Sequence, residues 1–577
     1  MTIAKLGRYW YTLRHLKPVQ FYGRVWFRLY RPRVNVLATT QALRVPNGEW
    51  RRPAARAASM LGPTQFRFLN QTHTLPAQGG WNDDALEKLW LYNLHYFDDL
   101  NAHDATGRRD WHRALIARWV AENPPASGNG WEPYPTSLRI VNWVKWLATG
   151  NAAVPGMFES LTMQAGWLAG RLERHLLGNH LFANAKALVF AGLLFEGRQA
   201  AAWLDTGLKN INKELPEQVL PDGGNFERSP MYHAIFLEDV LDLINAAQGW
   251  PALVPDEQVA CWRETAGLML GWLDGMVHPD GEIALFNDAA FGVAPGVADL
   301  MAYAGRLGVE VPAVAGSNSL RGDGAVRTKN PDTVGAAPSP RLDVAGAQLI
   351  HFADSGYVRI QAQDAVALLD VAPIGPDYLP GHAHADTLSF ELSVFGQRVV
   401  VNGGTSRYGL GRERLRERGT AAHSTVEVAG QNSSEVWGGF RVARRAYPFD
   451  LQLQDQAGVL QVACSHDGYK RLSGAPVHRR EWVMDASSLQ VADKVRGGAY
   501  AAAARYILHP GVKVTAADNN IWQLTLAGGR NLRVMVLEGQ GQLEPASYAP
   551  EFGIVLPTQC LTVELTQGQA RVKWIWS

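Results

Sequence analysis

The hydrophobic period changes once along the 577-residue chain, and that change limits what the chain can fold into. From about residue 85 to 310, apolar residues recur at helical spacing, as in Leu138, Val141, Trp143 and Trp146, or Leu188, Phe190, Leu193 and Leu194. Turn-rich stretches such as ENPPASGNG and PDGGN separate these runs without an exact repeat, which predicts paired helices in an incomplete toroid. Between about 311 and 342 the composition shifts to Gly, Ala, Pro and Ser, as a linker requires. Beyond it the period becomes two: Leu388, Phe390, Leu392 and Val394 alternate with more polar neighbours, and IWQLTLAGGRNLRVMVLEG reads as two strands around a Gly-Gly turn. The expected fold class is α+β and multidomain, an N-terminal incomplete (α/α) toroid followed by a C-terminal antiparallel β-sandwich. The expected boundaries are 1–84 for an extension packing on the toroid, 85–320 for the toroid, 321–342 for the linker and 343–577 for the sandwich.

Composition narrows the function classes. A hydrophobic fraction of 47% with 19% charged residues leaves no room for extensive disorder. A net charge of +1 argues against a nucleic-acid footprint spread over the surface, so an anionic ligand must be met by local clusters. The cysteines Cys261, Cys464 and Cys560 lie far apart, which predicts neither a disulfide framework nor a thiolate metal site. No apolar run is long enough for a transmembrane helix, and Lys5, Arg8, Arg14, Lys17 and Arg24 interrupt any signal-peptide core. Sequence alone thus points to the cytoplasm. The aromatic, basic start (Tyr9, Trp10, Tyr11, Phe21, Trp26, Phe27) fits either packing onto a neighbouring domain or lying on a membrane surface.

Four constellations can carry chemistry. In GNHLFANAKALVFAG, Asn179 and His180 open an apolar helix, either as a cap and a buried histidine or as groups aimed into the toroid's cavity. In PDGGNFERSPMYH, a glycine-rich loop delivers Glu227, Arg228, Tyr232 and His233 to the front of another helix. In GHAHADTLSFEL, His382, His384 and Asp386 alternate into a strand and should share one face. With His423 and Asn402, that face can hold a divalent cation or a metal-free polar network. In RYGLGRERLRERG, Arg412, Arg414, Arg416 and Arg418 follow Tyr408 at every second position. A strand would gather their guanidiniums for carboxylates or sulfates, while Glu413 and Glu417 permit a salt-bridged loop.

In order, LWLYNLHYFDDL, EPYPTSLRIVNWVKW, GNHLFANAKALVFAG, DGGNFERSPMYH, GHAHADTLSFEL and TAAHSTVEVAGQNSSEVWGGFRVARRA resemble the heparinase II/III family of polysaccharide lyases over roughly residues 85 to 480. The resemblance implies the same toroid and sandwich. It also implies an active-site pair at Asn179 and His180, a catalytic tyrosine at Tyr232, a sandwich histidine at His382 and an assisting Tyr408. Tyr134, Arg139, Glu227, Arg228, Arg412, Arg414 and Trp437 are the expected substrate-binding residues. His384 and His423 match metal ligands, whereas the family's usual aspartate is replaced by Asn402. One divalent cation, Mn, Zn or Ca, is expected in a structural role, with the neutral amide shifting preference away from zinc. By family analogy the location is periplasmic or extracellular.

The implied partner is an anionic, uronate-containing polysaccharide, such as heparan sulfate, chondroitin sulfate or hyaluronan, cleaved by β-elimination. His180 or Tyr232 serves as base, and Tyr232 protonates the departing oxygen. A uronate carbon-5 epimerase, an alginate or exopolysaccharide lyase, a hydrolase using Asp222 and Glu227, and a non-catalytic glycan-binding protein of exopolysaccharide assembly remain the alternatives.

Overall fold

The computed structural model describes residues 3–32, 41–311 and 346–576, so the expected linker at 321–342 lies outside the described residues. Among the described residues, eleven α-helices precede the first long strand: α1 (Ile3–Leu13), α2 (Pro18–Leu29), α3 (Lys88–Tyr96), α4 (Arg109–Glu122), α5 (Pro133–Ala148), α6 (Met157–Ala169), α7 (Gly178–Leu194), α8 (Arg198–Gln218), α9 (Pro230–Gly249), α10 (Asp256–Gly275) and α11 (Val297–Arg306). None among the described residues is long and apolar enough to cross a membrane.

Alternate helices touch one another: α3 packs on α5, α5 on α7, α7 on α9 and α9 on α11, while α4 packs on α6 and α6 on α8. This makes an inner and an outer ring. The inner α7 and α9 are buried nearly all round, so their residues are mostly apolar on all sides, as in VFAGLL, instead of amphipathic, with the few charged ones such as Lys186 and Asp239 paired inside. Proline at the first position sets the entry of α5 and α9, and the Ser229 side chain caps α9 by accepting the Tyr232 N–H at 3.2 Å.

The C-terminal part is two antiparallel sheets, of nine and eight strands, packed face to face around Phe390, Trp482, Tyr506 and Trp574. Period two holds at Ile521–Thr525, which pairs with Asn531–Glu538 while Gly528 and Gly529 turn the chain at φ 79° and 81°, but not at Phe390–Val394, where every residue is buried.

Two segments differ from their sequence reading. Residues 380–389 are a loop, and the strand starts only at Phe390 (Phe390–Val394), after Leu388 at φ 62°. The loop's backbone is claimed elsewhere, since His382 O accepts the Asp288 N–H, the His384 N–H goes to Asn287 Oδ1, and the Ala385 N–H goes to Arg418 O. The arginine run is not a strand either. It forms a short helix, α12 (Arg412–Glu417), whose period sends Arg414 and Arg418 inward and leaves Arg412 and Arg416 exposed.

The two halves meet closely. Gly178 at the start of α7 has φ 54°, and a side chain there would strike Leu379 of the sandwich loop at 2.5 Å. α1 and α2 bridge both halves: Trp437 Nε1 donates to Thr12 Oγ1 at 3.0 Å, and Arg171 of the toroid donates to Phe27 O at 2.7 Å.

Candidate active site

A cavity of about 1000 Å³ lies between the inner ring and the sandwich loops. Its toroid wall comes from α3, α5, α7 and α9, its opposite wall from Leu379–His382, Tyr408 and Trp437–Arg441, and α1 and α2 close one side through Thr12, Gln20 and Arg24. Asn179, His180, Tyr232, His382, Tyr408, Tyr134, Glu227 and Trp437 all line it.

One carboxylate orders the sandwich side. Asp288 is fully buried in an irregular segment and receives four donors: Arg414 through both terminal nitrogens, His382 Nδ1 at 2.8 Å and His384 Nε2 at 2.7 Å. Burial, the largest single effect, would raise the carboxyl, but the Arg414 guanidinium and the two histidines together outweigh it and hold Asp288 ionised well below the usual carboxylate range. The ionised carboxylate accepts only, so His382 presents Nε2 to the cavity. That atom lies 3.8 Å from Glu227 Oε2.

Around His382 the aromatic groups stack. The Tyr232 ring centroid is 3.9 Å from the imidazole, and the Tyr232 and Tyr408 hydroxyls share a 2.8 Å hydrogen bond. Burial pushes both phenols well above 10, so each carries its proton at neutral pH. On the toroid side, His180 Nδ1 donates to Glu173 Oε2 at 3.2 Å, and its ring lies 4.5 Å from that of Tyr134. Burial, the largest single effect, disfavours the His180 cation, yet the charge and hydrogen bond of Glu173 with the nearby Glu227 and Glu132 together raise the imidazole above 6.5. Glu227, buried beside both histidines, is raised by desolvation, which favours its neutral acid. Among the described residues the Asn179 carboxamide has no hydrogen-bond partner, so its donors are free to meet a ligand.

Several expected residues do not reach the cavity. Arg139 is fully buried in the toroid core, bonded to Gln164 and His95 O and lying 3.8 Å over the Trp119 ring. Arg228, with φ 57°, ties the halves together by donating to Ser355 O at 2.9 Å. Arg412 points to solvent, and Arg414 is spent on Asp288. Asp222 accepts from Gly224, Asp354 and Ser355, so it cannot pair with Glu227 across a scissile bond.

Asp288 escaped the sequence reading because FNDAAFG carries no pattern. A second group escaped it too. On the cavity floor Lys145 and Lys186 meet Asp239 and Asp242, with Lys186 Nζ at 2.7 Å and 2.6 Å from the two carboxylates. The available signal was Lys186 inside the apolar run NAKALVF, where a charge must have buried partners.

The expected metal residues can be tested by their tautomers. His384 Nε2 carries a proton toward Asp288, and His423 Nδ1 carries one toward Gly419 O at 2.8 Å. The remaining atoms, His384 Nδ1 and His423 Nε2, therefore present bare lone pairs 3.0 Å apart. Burial keeps both rings neutral, pushing His384 down to about 3. Two converging lone pairs with anchored outer nitrogens fit a cation. Asn402 is the weaker member, since its Oδ1 already accepts the Ser424 N–H at 3.2 Å. No group of three His, Cys, Asp or Glu residues is gathered for a metal among the described residues.

Comparison with known proteins followed the same division of the chain. The family model described as Heparinase II/III N-terminus matches residues 90–296, and that described as Heparinase II/III-like, C-terminal matches residues 345–575. A heparin-sulfate lyase of Pedobacter heparinus is 24% identical over 356 residues, covering 57% of this chain and 50% of that protein. The FtsZ-localized protein C of Caulobacter vibrioides is 25% identical over 431 residues, covering 70% of this chain and 64% of that protein. The chain thus spans between half and two thirds of the length of these two relatives. In fold, a crystal structure of heparinase III superposes with a TM-score of 0.66 at 18% identity, covering 98% of this chain and 91% of that one. A heparan sulfate lyase of Pedobacter heparinus superposes at 0.53 and 18% identity, covering 97% and 87%.

Dialysis against EDTA is expected to lower the melting temperature, and Mn²⁺, Zn²⁺ or Ca²⁺ to restore it. An unchanged melt, with no metal in the purified protein by elemental analysis, would instead favour a metal-free polar network at His384 and His423.

Proposed function

The chain belongs to the heparinase II/III-like family, and from that premise we propose that it is a polysaccharide lyase cleaving uronate-containing glycans by β-elimination. One observation carries the reading: the Asn179 amide, the His180 imidazole and the Tyr232 phenol of the toroid line the same cavity as His382 and Tyr408 of the sandwich. The first substrates to consider are glycosaminoglycans, because the Pedobacter heparinus relative is a heparin-sulfate lyase. Alginate and bacterial exopolysaccharides follow.

The reaction removes the proton at carbon 5 of the uronate, turns that electron pair into a carbon 4–carbon 5 double bond and expels the oxygen on carbon 4. The carbon acid is weak because its carboxylate is already negative. Asn179 would donate to the carboxylate as negative charge builds on it, and losing such a donor typically costs about 3 to 4 kcal/mol. His180 Nε2 is the base, since Nδ1 is engaged by Glu173. Tyr232, held protonated by burial, supplies the proton to the leaving oxygen, and Tyr408 fixes its hydroxyl. His382, oriented by Asp288, faces the same space. His384, His423 and Asn402 would hold the divalent cation, whose positive charge would keep His384 set against Asp288.

A panel of uronate polymers followed by ultraviolet absorbance tests the activity. A rising absorbance from unsaturated chain ends is expected with at least one polymer, and Tyr232→Phe should lower its rate by about 10² or more while leaving binding measurable. Solvent deuterium entering the polymer without cleavage would instead make the protein an epimerase, and neither signal would leave a glycan-binding protein. The pH profile tests the base. His180 must be neutral to act, and its pKa is raised, so kcat/KM should fall as pH drops through a value above 6.5. Glu173→Gln removes the charge that raises it, and the acid limb should move to lower pH. An unmoved limb would exclude His180.

A further inference from the structure

The N-terminal helices do more than wall the cavity. On α2, Tyr22, Val25, Trp26 and Leu29 fall at i, i+3, i+4 and i+7, one face of a helix, and stand 65%, 60%, 62% and 78% exposed. On α1, Leu6 and Trp10 make a similar stripe, 54% and 65% exposed. None of these six residues lines the active-site cavity. Large apolar side chains left together in water usually mark a surface that another body covers. Across the α2 stripe lies an apolar groove of about 630 Å³, closed on its far side by Leu172 and His175 of the toroid.

The charge around these stripes has one sign. No Asp or Glu precedes Glu49, whereas Lys5, Arg8, Arg14, Arg24, Arg28 and Arg31 are all exposed on or beside α1 and α2. The chain as a whole carries only +1, so this is a local concentration of positive charge. Exposed Trp and Tyr beside Lys and Arg, on helices with a polar opposite edge, are the composition of an element that lies in a lipid interface. An acid-free basic rim matches an anionic headgroup layer.

We propose that α1 and α2 dock the protein on the surface of an anionic lipid bilayer, with Trp10, Trp26 and Leu29 entering the interface and the arginines meeting the headgroups. Because Thr12, Gln20 and Arg24 of the same helices line the cavity, docking sets the cleft beside the membrane. This rests on the helical surface alone and stands or falls independently of the chemistry in the cleft.

Flotation of the full chain with vesicles tests it. The protein should float with phosphatidylcholine vesicles containing phosphatidylglycerol, stay behind with phosphatidylcholine alone, and be released by high salt. Trp26→Ser with Leu29→Ser should cut the floated fraction about tenfold without lowering the melting temperature. If that variant melts early, Arg8→Glu with Arg28→Glu, both on exposed positions, makes the same comparison and should lose flotation equally. A wild-type chain that ignores phosphatidylglycerol vesicles overturns the proposal. So does a well-folded variant of either kind that floats as wild type does, or a stripe variant whose only change is loss of self-association in light scattering.

Discussion

The buried carboxylate of Asp288 is the interaction on which the sandwich side of the cleft depends. A carboxylate in such a place is costly unless every lone pair is met, and here Arg414, His382 and His384 meet them all. The consequence is directional. Because Asp288 can only accept, it fixes which nitrogen of each histidine bears a proton, turns His382 Nε2 toward the cavity and turns His384 Nδ1 toward His423. Asp288 itself sits in the toroid segment between α10 and α11, and its backbone oxygen accepts from Ser229, the cap of the helix carrying Tyr232. One group thus aligns the tyrosine of one layer with the histidine of the other.

Much of this was legible from residue patterns, for reasons that differ by segment. The change of period was readable because α7 and α9, buried on almost all sides inside a double ring, are mostly apolar all round, while strands such as Ile521–Thr525 bury one face only. Asn179, His180 and Tyr232 were readable because polar groups at the front of apolar helices need a purpose. His382 and His384 were rightly paired but for the wrong reason: they converge on one carboxylate from a loop, not on one face of a strand. The arginines show the limit of periodicity, since a run spaced by two can still be helical when its inward members find partners such as Asp288 and Ala383 O.

What was not legible depends on distance along the chain. Asp288 lies 94 residues from His382 and 126 from Arg414, so no local pattern announces it. Arg139 and Arg228 look like ligands for an anion in sequence, and only the packing reveals that their donors are used on carbonyls and an amide within the protein. Arginine is therefore a poor guide to an anion site until its partners are known. Asn179 is the converse case, a plain carboxamide on the cavity wall that nothing in the described fold claims.

The account comes down to where a uronate sits. A crystal structure of the protein with a uronate oligosaccharide bound in the cleft is the direct measurement. The carboxylate is predicted to lie within hydrogen-bonding reach of Asn179, with carbon 5 about 3 to 3.5 Å from His180 and the carbon 4 oxygen beside Tyr232. A sugar bound with carbon 5 out of reach of both His180 and Tyr232 would contradict it.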